Sequence, residues 1–145
     1  MDSIGRYSSA VYRLGQSIFN YKLKELELGS GQYTFFICIA DNEGITQGEI
    51  CDMLFVDKST TAKAVKYMTD MGYVFGRQLA NDKRYYSLYL TEKGRNAVDF
   101  VKAIVQEVSE MSSKDISKDE IDCTIRTLNK VINNLITEKV KYYGE

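Results

Sequence analysis

Between Thr46 and Leu90 the sequence changes its period once, and that change constrains the fold more than any other feature of the chain. TQGE at Thr46 to Glu49 has the form of a capping box, with Thr46 capping a helix and Glu49 reaching back to the cap amide. A short helix follows to Leu54, Phe55 and Val56 make a turn, and Asp57 is placed to cap a second helix that stops at Gly72. After Gly72 the spacing switches to two: YVFGRQL, a polar tip ANDKR, then YYSLYL with Tyr86, Leu88 and Leu90 on one face. Two short helices joined by a tight turn and followed at once by a β-hairpin predict a helix-turn-helix with a wing.

Proline is absent, so the helical patterns on either side can run long. From Ile4 the residues Val11, Leu14, Ile18, Tyr21 and Leu26 keep helical spacing up to the break at Gly29, Ser30 and Gly31. The run YTFFICIA inside residues 32–40 is apolar nearly all round, which predicts a short buried helix, with a strand as the competing reading. Thr91 caps a further helix carrying Ala97, Val101, Ile104, Val108 and Met111. SSKDISKDE interrupts it, and Ile121, Ile125, Leu128, Ile132 and Leu135 then alternate spacings of four and three, the seam of a helix that packs on other helices. The class is therefore mostly α with a small β-hairpin wing.

The helix from Asp57 to Gly72 has two unlike faces. At 100° per residue Thr61, Ala64, Val65, Met68 and Gly72 fall together, while Ser59, Lys63, Lys66 and Asp70 point the other way, with Thr60 and Tyr67 on the flanks. The outward face is short, hydroxyl-bearing and basic near its N-terminal end, which suits the major groove: small side chains allow close approach, hydroxyls reach bases, and lysines meet phosphates. Charge follows the same division. The whole chain is only −1, yet residues 57–95 carry 8 basic and 4 acidic groups, a net +4, between segments of −3 and −2. A charged hairpin tip or a lysine-bearing helix alone is ordinary solvated surface, but the two in succession are far more specific. At the tip, Lys83 and Arg84 are placed to enter a minor groove, with Asp82 holding Arg84.

The rest of the composition excludes several classes. Cys38, Cys51 and Cys123 form an odd set without CxxC spacing, which argues against a disulfide framework and fits a reducing cytoplasm; Cys51 reads as packing. With no histidine, neither a structural zinc site nor the commonest acid–base chemistry is offered, and no nucleophile, base and orienting group converge, so neither cofactor nor metal nor catalytic residues are expected. No apolar run long enough to span a membrane and no signal-peptide pattern appears.

In order and spacing over nearly its full length, the chain resembles the MarR family of winged-helix transcriptional regulators. The residues that carry this are ITQGEICDMLFVDKSTTAKAVKYMTDMGYV (45–74), NDKR at the wing and LYLTEKGR (88–95). The resemblance implies a homodimer whose first and last helices (1–30 and 112–145) form the dimerisation region. Residues 31–95 would then be the winged helix-turn-helix and 91–111 a linking helix. It implies a sequence-specific regulator, expected to be a repressor, on a pseudo-palindromic DNA operator. By position Ser59, Thr60, Lys63 and Lys66 would lie on the recognition helix, Asp82 and Arg84 would be the wing's D-x-R pair beside Lys83, and Arg77 matches a basic position of the first wing strand. Phe55 stands where a glycine is common, and Ala62 where a hydroxyl residue is frequent. Family members often sense small aromatic or lipophilic acids or oxidants, and Tyr12, Phe19, Phe35 and Ile39 are placed to line such an effector pocket, though residues of this kind are more often core. The competing reading is a winged-helix module for protein association without DNA binding.

Overall fold

The computed structural model describes residues 2–144. In chain order these form α1 (Ile4–Lys22), a short 3-10 turn (Lys24–Leu26), α2 (Tyr33–Asp41), β1 (Ile45–Thr46), α3 (Gln47–Leu54), α4 (Lys58–Asp70), β2 (Val74–Gln78), β3 (Tyr86–Leu90), α5 (Glu92–Ser112) and α6 (Lys118–Tyr143). The chain divides into two compact units, Met1–Val108 and Ser109–Glu145.

The first unit is built around one core. Phe36 and Ile39 of α2, Ile50 of α3, Met68 of α4, Val74 of β2 and Val101 of α5 are all completely or almost completely buried in it. YTFFICIA is thus a helix rather than a strand. The buried face of α4 is Thr61, Ala64, Val65 and Met68, as its wheel predicted.

The first helix is shorter than its periodicity suggested. It stops at Lys22, Leu23 closes it by donating its amide to the Phe19 carbonyl at 2.9 Å, and the 3-10 turn ends at Glu27 with φ 54°. Packing supplies the reason: Leu23 and Leu28 are both fully buried, yet five residues on a continuous helix would set them 140° apart. The break lets both reach the core.

The hairpin acquires a third strand. The sheet runs β1-β3-β2, all antiparallel, with Ile45 opposite Leu88 and Thr46 opposite Ser87. Two residues are too few to show a period, so β1 could not be read locally. Thr46 also opens α3, where the expected capping box is complete: the Glu49 amide donates to Thr46 Oγ1 at 3.3 Å and the Thr46 amide donates to Glu49 Oε2 at 2.8 Å.

LYLTEKGR proves to be a junction. The Thr91 hydroxyl donates to the Gly72 carbonyl at 2.6 Å and accepts the Gly94 amide at 3.0 Å. A Cβ on Gly94 would stand 2.2 Å from the Tyr73 carbonyl oxygen, so only glycine lets α5 come this close to the start of β2. Glu43 Oε1 accepts the Leu90 amide at 2.8 Å, tying the α2–β1 loop to the same point.

In the second unit α6 starts with its own capping box, Ser117 with Glu120. None of its described side chains is buried; Ile125 and Leu135 of its apolar seam are 54% and 65% exposed. Among the described residues no helix is long and apolar enough to cross a membrane.

Candidate nucleic-acid interface

At the N-terminus of α4, the Thr60 amide and hydroxyl both donate to the Asp57 carboxylate, at 2.7 and 2.9 Å. These bonds, the amide's first, hold the Asp57 carboxyl below its ordinary value. In this arrangement the Thr60 hydroxyl donates its hydrogen bond to Asp57, leaving its oxygen lone pairs as acceptors on the open side. Thr61 is fully buried; its hydroxyl donates to the Asp57 carbonyl at 3.0 Å and accepts from Cys51 Sγ at 3.3 Å, fastening α3 to α4.

The outer face of α4 is open. Ser59 and Lys63 are exposed, while Lys66 pairs with Asp70 one turn on, Nζ to Oδ2 2.7 Å. Both members of that pair are well solvated, so it contributes little stability, but it places a carboxylate against the Lys66 charge. Among the described residues Lys58 and Lys63 make no ion pair, so the uncompensated basic charge of α4 lies toward the helix start.

The far end of α4 is anchored by two tyrosines. Tyr67 donates to the Glu27 carbonyl at 2.8 Å and Tyr73 to the Leu26 carbonyl at 2.6 Å, both on the turn that follows α1. Sequence reasoning assigned neither, because partners 40 and 47 residues away leave no local pattern. Phe55, in the turn before α4, adopts the left-handed conformation (φ 55°, ψ 40°) that a glycine would hold without strain, and its ring is exposed. The helix-turn-helix geometry is kept at the cost of some backbone strain.

In the wing, Asp82 and Arg84 form the expected pair, Nη2 to Oδ2 2.8 Å, and Lys83 is exposed beside them. Arg77 is exposed on β2. The eight sequence-assigned residues thus fall in three groups: Ser59, Thr60, Lys63 and Lys66 on α4; Asp82, Lys83 and Arg84 at the tip; Arg77 on the wing strand.

The four residues assigned to an effector pocket are not gathered in the same way. Phe19, stacked on Tyr33 at 4.0 Å, joins Phe35 and Ile39 in the core, whereas Tyr12 is 65% exposed on the part of α1 that precedes its contact with that core. An open concavity of about 520 Å³ lies elsewhere, between the α2–β1 loop and α3, lined by Glu43, Glu49, Asp52 and Met53 among others. Glu43 and Glu49 are already engaged by the Leu90 and Thr46 amides. Cys38 is buried, and burial followed by the nearby Asp41 pushes its thiol up; Cys51 is half-buried and Cys123 exposed.

Known proteins carry the same pattern. The family model described as MarR family matches residues 28–84, which run from the turn after α1 to Arg84. The transcriptional regulator SarZ of Staphylococcus haemolyticus is 31% identical over 80% of this chain and 78% of its own. A solved MarR protein from Peptoclostridium difficile is 34% identical, covers 98% of this chain and 94% of its own, and superposes with a TM-score of 0.91. The chain belongs to the MarR family. It is a DNA-binding transcriptional regulator rather than an enzyme, with the mostly helical winged fold that the sequence predicted. Another structure similar to this MarR-family chain, a putative regulator from Listeria monocytogenes, was solved with a 26mer DNA; it is 29% identical, with coverage of 99% and 97% and a TM-score of 0.89.

Proposed function

We propose that this MarR-family regulator is a repressor that holds a pseudo-palindromic operator as a homodimer, α4 of each subunit in a major groove and Arg84 in the adjoining minor groove. The observation that carries this is the pairing of an open face, Ser59 and Lys63, with a wing arginine already fixed in direction by Asp82. The flanking helices support the dimer: α1 exposes Val11, Tyr12 and Leu14, and α6 exposes Ile125, Leu128 and Leu135, more apolar surface than a lone soluble chain ordinarily leaves uncovered. Residues 1–30 and 112–145 would make that interface, 91–111 would link it to the lobe of residues 31–95, and a small aromatic or lipophilic acid bound near it would act by changing the separation of the two α4 helices. A soluble, cytoplasmic protein fits this role.

Binding to random duplex across a salt series tests the reading. Affinity that falls linearly in log–log form, by about 0.9 per phosphate contacted, supports it. Absence of binding at low salt would leave the winged helix as a protein-association module.

A further inference from the structure

Arg77 is flanked by two rings. Phe75 lies two residues before it on the same face of β2, and Tyr89 is the register partner of Phe75 on β3. The rings stack with centroids 5.7 Å apart and 28° between planes. The guanidinium carbon of Arg77 lies 5.4 Å from the Phe75 centroid and 5.2 Å from that of Tyr89. Val74, Leu88 and Leu90, on the opposite face of these strands, are buried, so the Phe75–Arg77–Tyr89 group stands on the side away from the core.

This arrangement does two things to the arginine. Contact with the rings restricts the rotamers of the side chain, and among the described residues its guanidinium N–H groups donate to no other group. Its charge also stays uncompensated: among the described residues Arg77 makes no ion pair, in contrast to Arg84, which is met by Asp82. The backbone beneath is fixed as well, since the Ser87 hydroxyl donates to the Arg77 carbonyl at 3.3 Å. A planar, pre-oriented, unpaired fork matches a phosphate, which accepts two parallel N–H bonds. Arg77 sits on β2 rather than at the wing tip, so it is set back from Arg84 along the ribbon.

We propose that Phe75 and Tyr89 are positioning residues that hold the Arg77 guanidinium ready to clamp a DNA backbone phosphate beside the wing. This rests on the DNA-binding reading above. Ordering the side chain before binding spares the complex the entropy of immobilising it.

A double-mutant cycle tests the proposal, using dissociation constants for one fixed duplex and thermal melts of every variant. Arg77→Ala should weaken binding and lower the salt slope by about 0.9 per subunit. Tyr89→Leu should weaken binding about two- to five-fold per subunit, while Tyr89→Phe, which keeps the ring, should match the parent. In the Arg77→Ala background Tyr89→Leu should cost nothing further, and Phe75→Leu should behave in the same way. A Tyr89→Leu loss that persists in full without Arg77 would show a merely structural role and overturn the inference, as would a Tyr89→Leu protein that binds as the parent does. A parent protein that binds no duplex overturns the DNA-binding reading itself, so the two failures are distinct.

Discussion

At the wing tip the carboxylate of Asp82 grips the guanidinium of Arg84 by two bonds, Nε to Oδ1 at 3.0 Å and Nη2 to Oδ2 at 2.8 Å. Asp82 also accepts the Arg84 amide at 3.1 Å, and these bonds lower the Asp82 carboxyl and raise the Arg84 guanidinium from their ordinary values. An arginine so braced has less freedom to lose on entering a groove. Arg84→Ala should therefore weaken binding most where the flanking minor groove is narrow and A·T-rich, with an unchanged melting temperature because the tip is exposed. Asp82→Asn should show a smaller loss in the same direction. Equal losses on A·T-rich and G·C-rich flanks would rule out minor-groove insertion.

On α4 two kinds of loss should separate. If Lys63 contacts phosphate, Lys63→Ala should weaken all sequences alike and lower the salt slope by about 1 per site. Ser59→Ala should change preference at particular base pairs while leaving the slope in place. Thr60→Ala should do both less base discrimination and more helix fraying than Ser59→Ala, since its hydroxyl already serves Asp57. Competition binding on single-base operator variants reads all three.

Gly94→Ala is expected to destabilise the winged-helix unit by about 1–3 kcal/mol, the range for forced overpacking, because the new methyl meets a backbone carbonyl that cannot step aside. Denaturant unfolding checks this. A neutral result would mean that α5 can shift away from Tyr73 freely.

Legibility in the sequence followed the range of the interaction. The α3 capping box and the buried face of α4 were readable because their chemistry is contained within a turn or a helical period, as Thr46 with Glu49 and Thr61 with Ala64, Val65 and Met68 show. The pair Asp82 and Arg84 was readable for the same reason, being two residues apart. β1 was not, since Ile45 and Thr46 are a strand only by virtue of Leu88 and Ser87. The end of α1 was hidden because burial of Leu23 and Leu28 overrides an uninterrupted helical pattern. Phe75 and Tyr89 carried a signal that was available, alternation with Arg77 and a cross-strand aromatic pair, but only the register brings the second ring to the guanidinium.

Acid should weaken the start of α4. Asp57 has a carboxyl lowered from its ordinary 3.8, chiefly by the Thr60 amide bond, so its contribution is fully present above that value and is lost as pH falls through the lower folded value. Asp57→Asn should be less stable than the parent at neutral pH, and the two should converge as pH drops below 3.8. Unfolding midpoints across that range provide the check; a gap that stays constant into acid would contradict the assignment.

Selection from random duplex DNA with the purified full chain, its mass followed by light scattering, tests the central claim most directly. The account predicts a particle of twice the 16.6 kDa chain and an enriched inverted repeat with half-site centres about 10 base pairs apart. A monomer that enriches nothing, or a dimer that enriches a single unsymmetrical site, would contradict it.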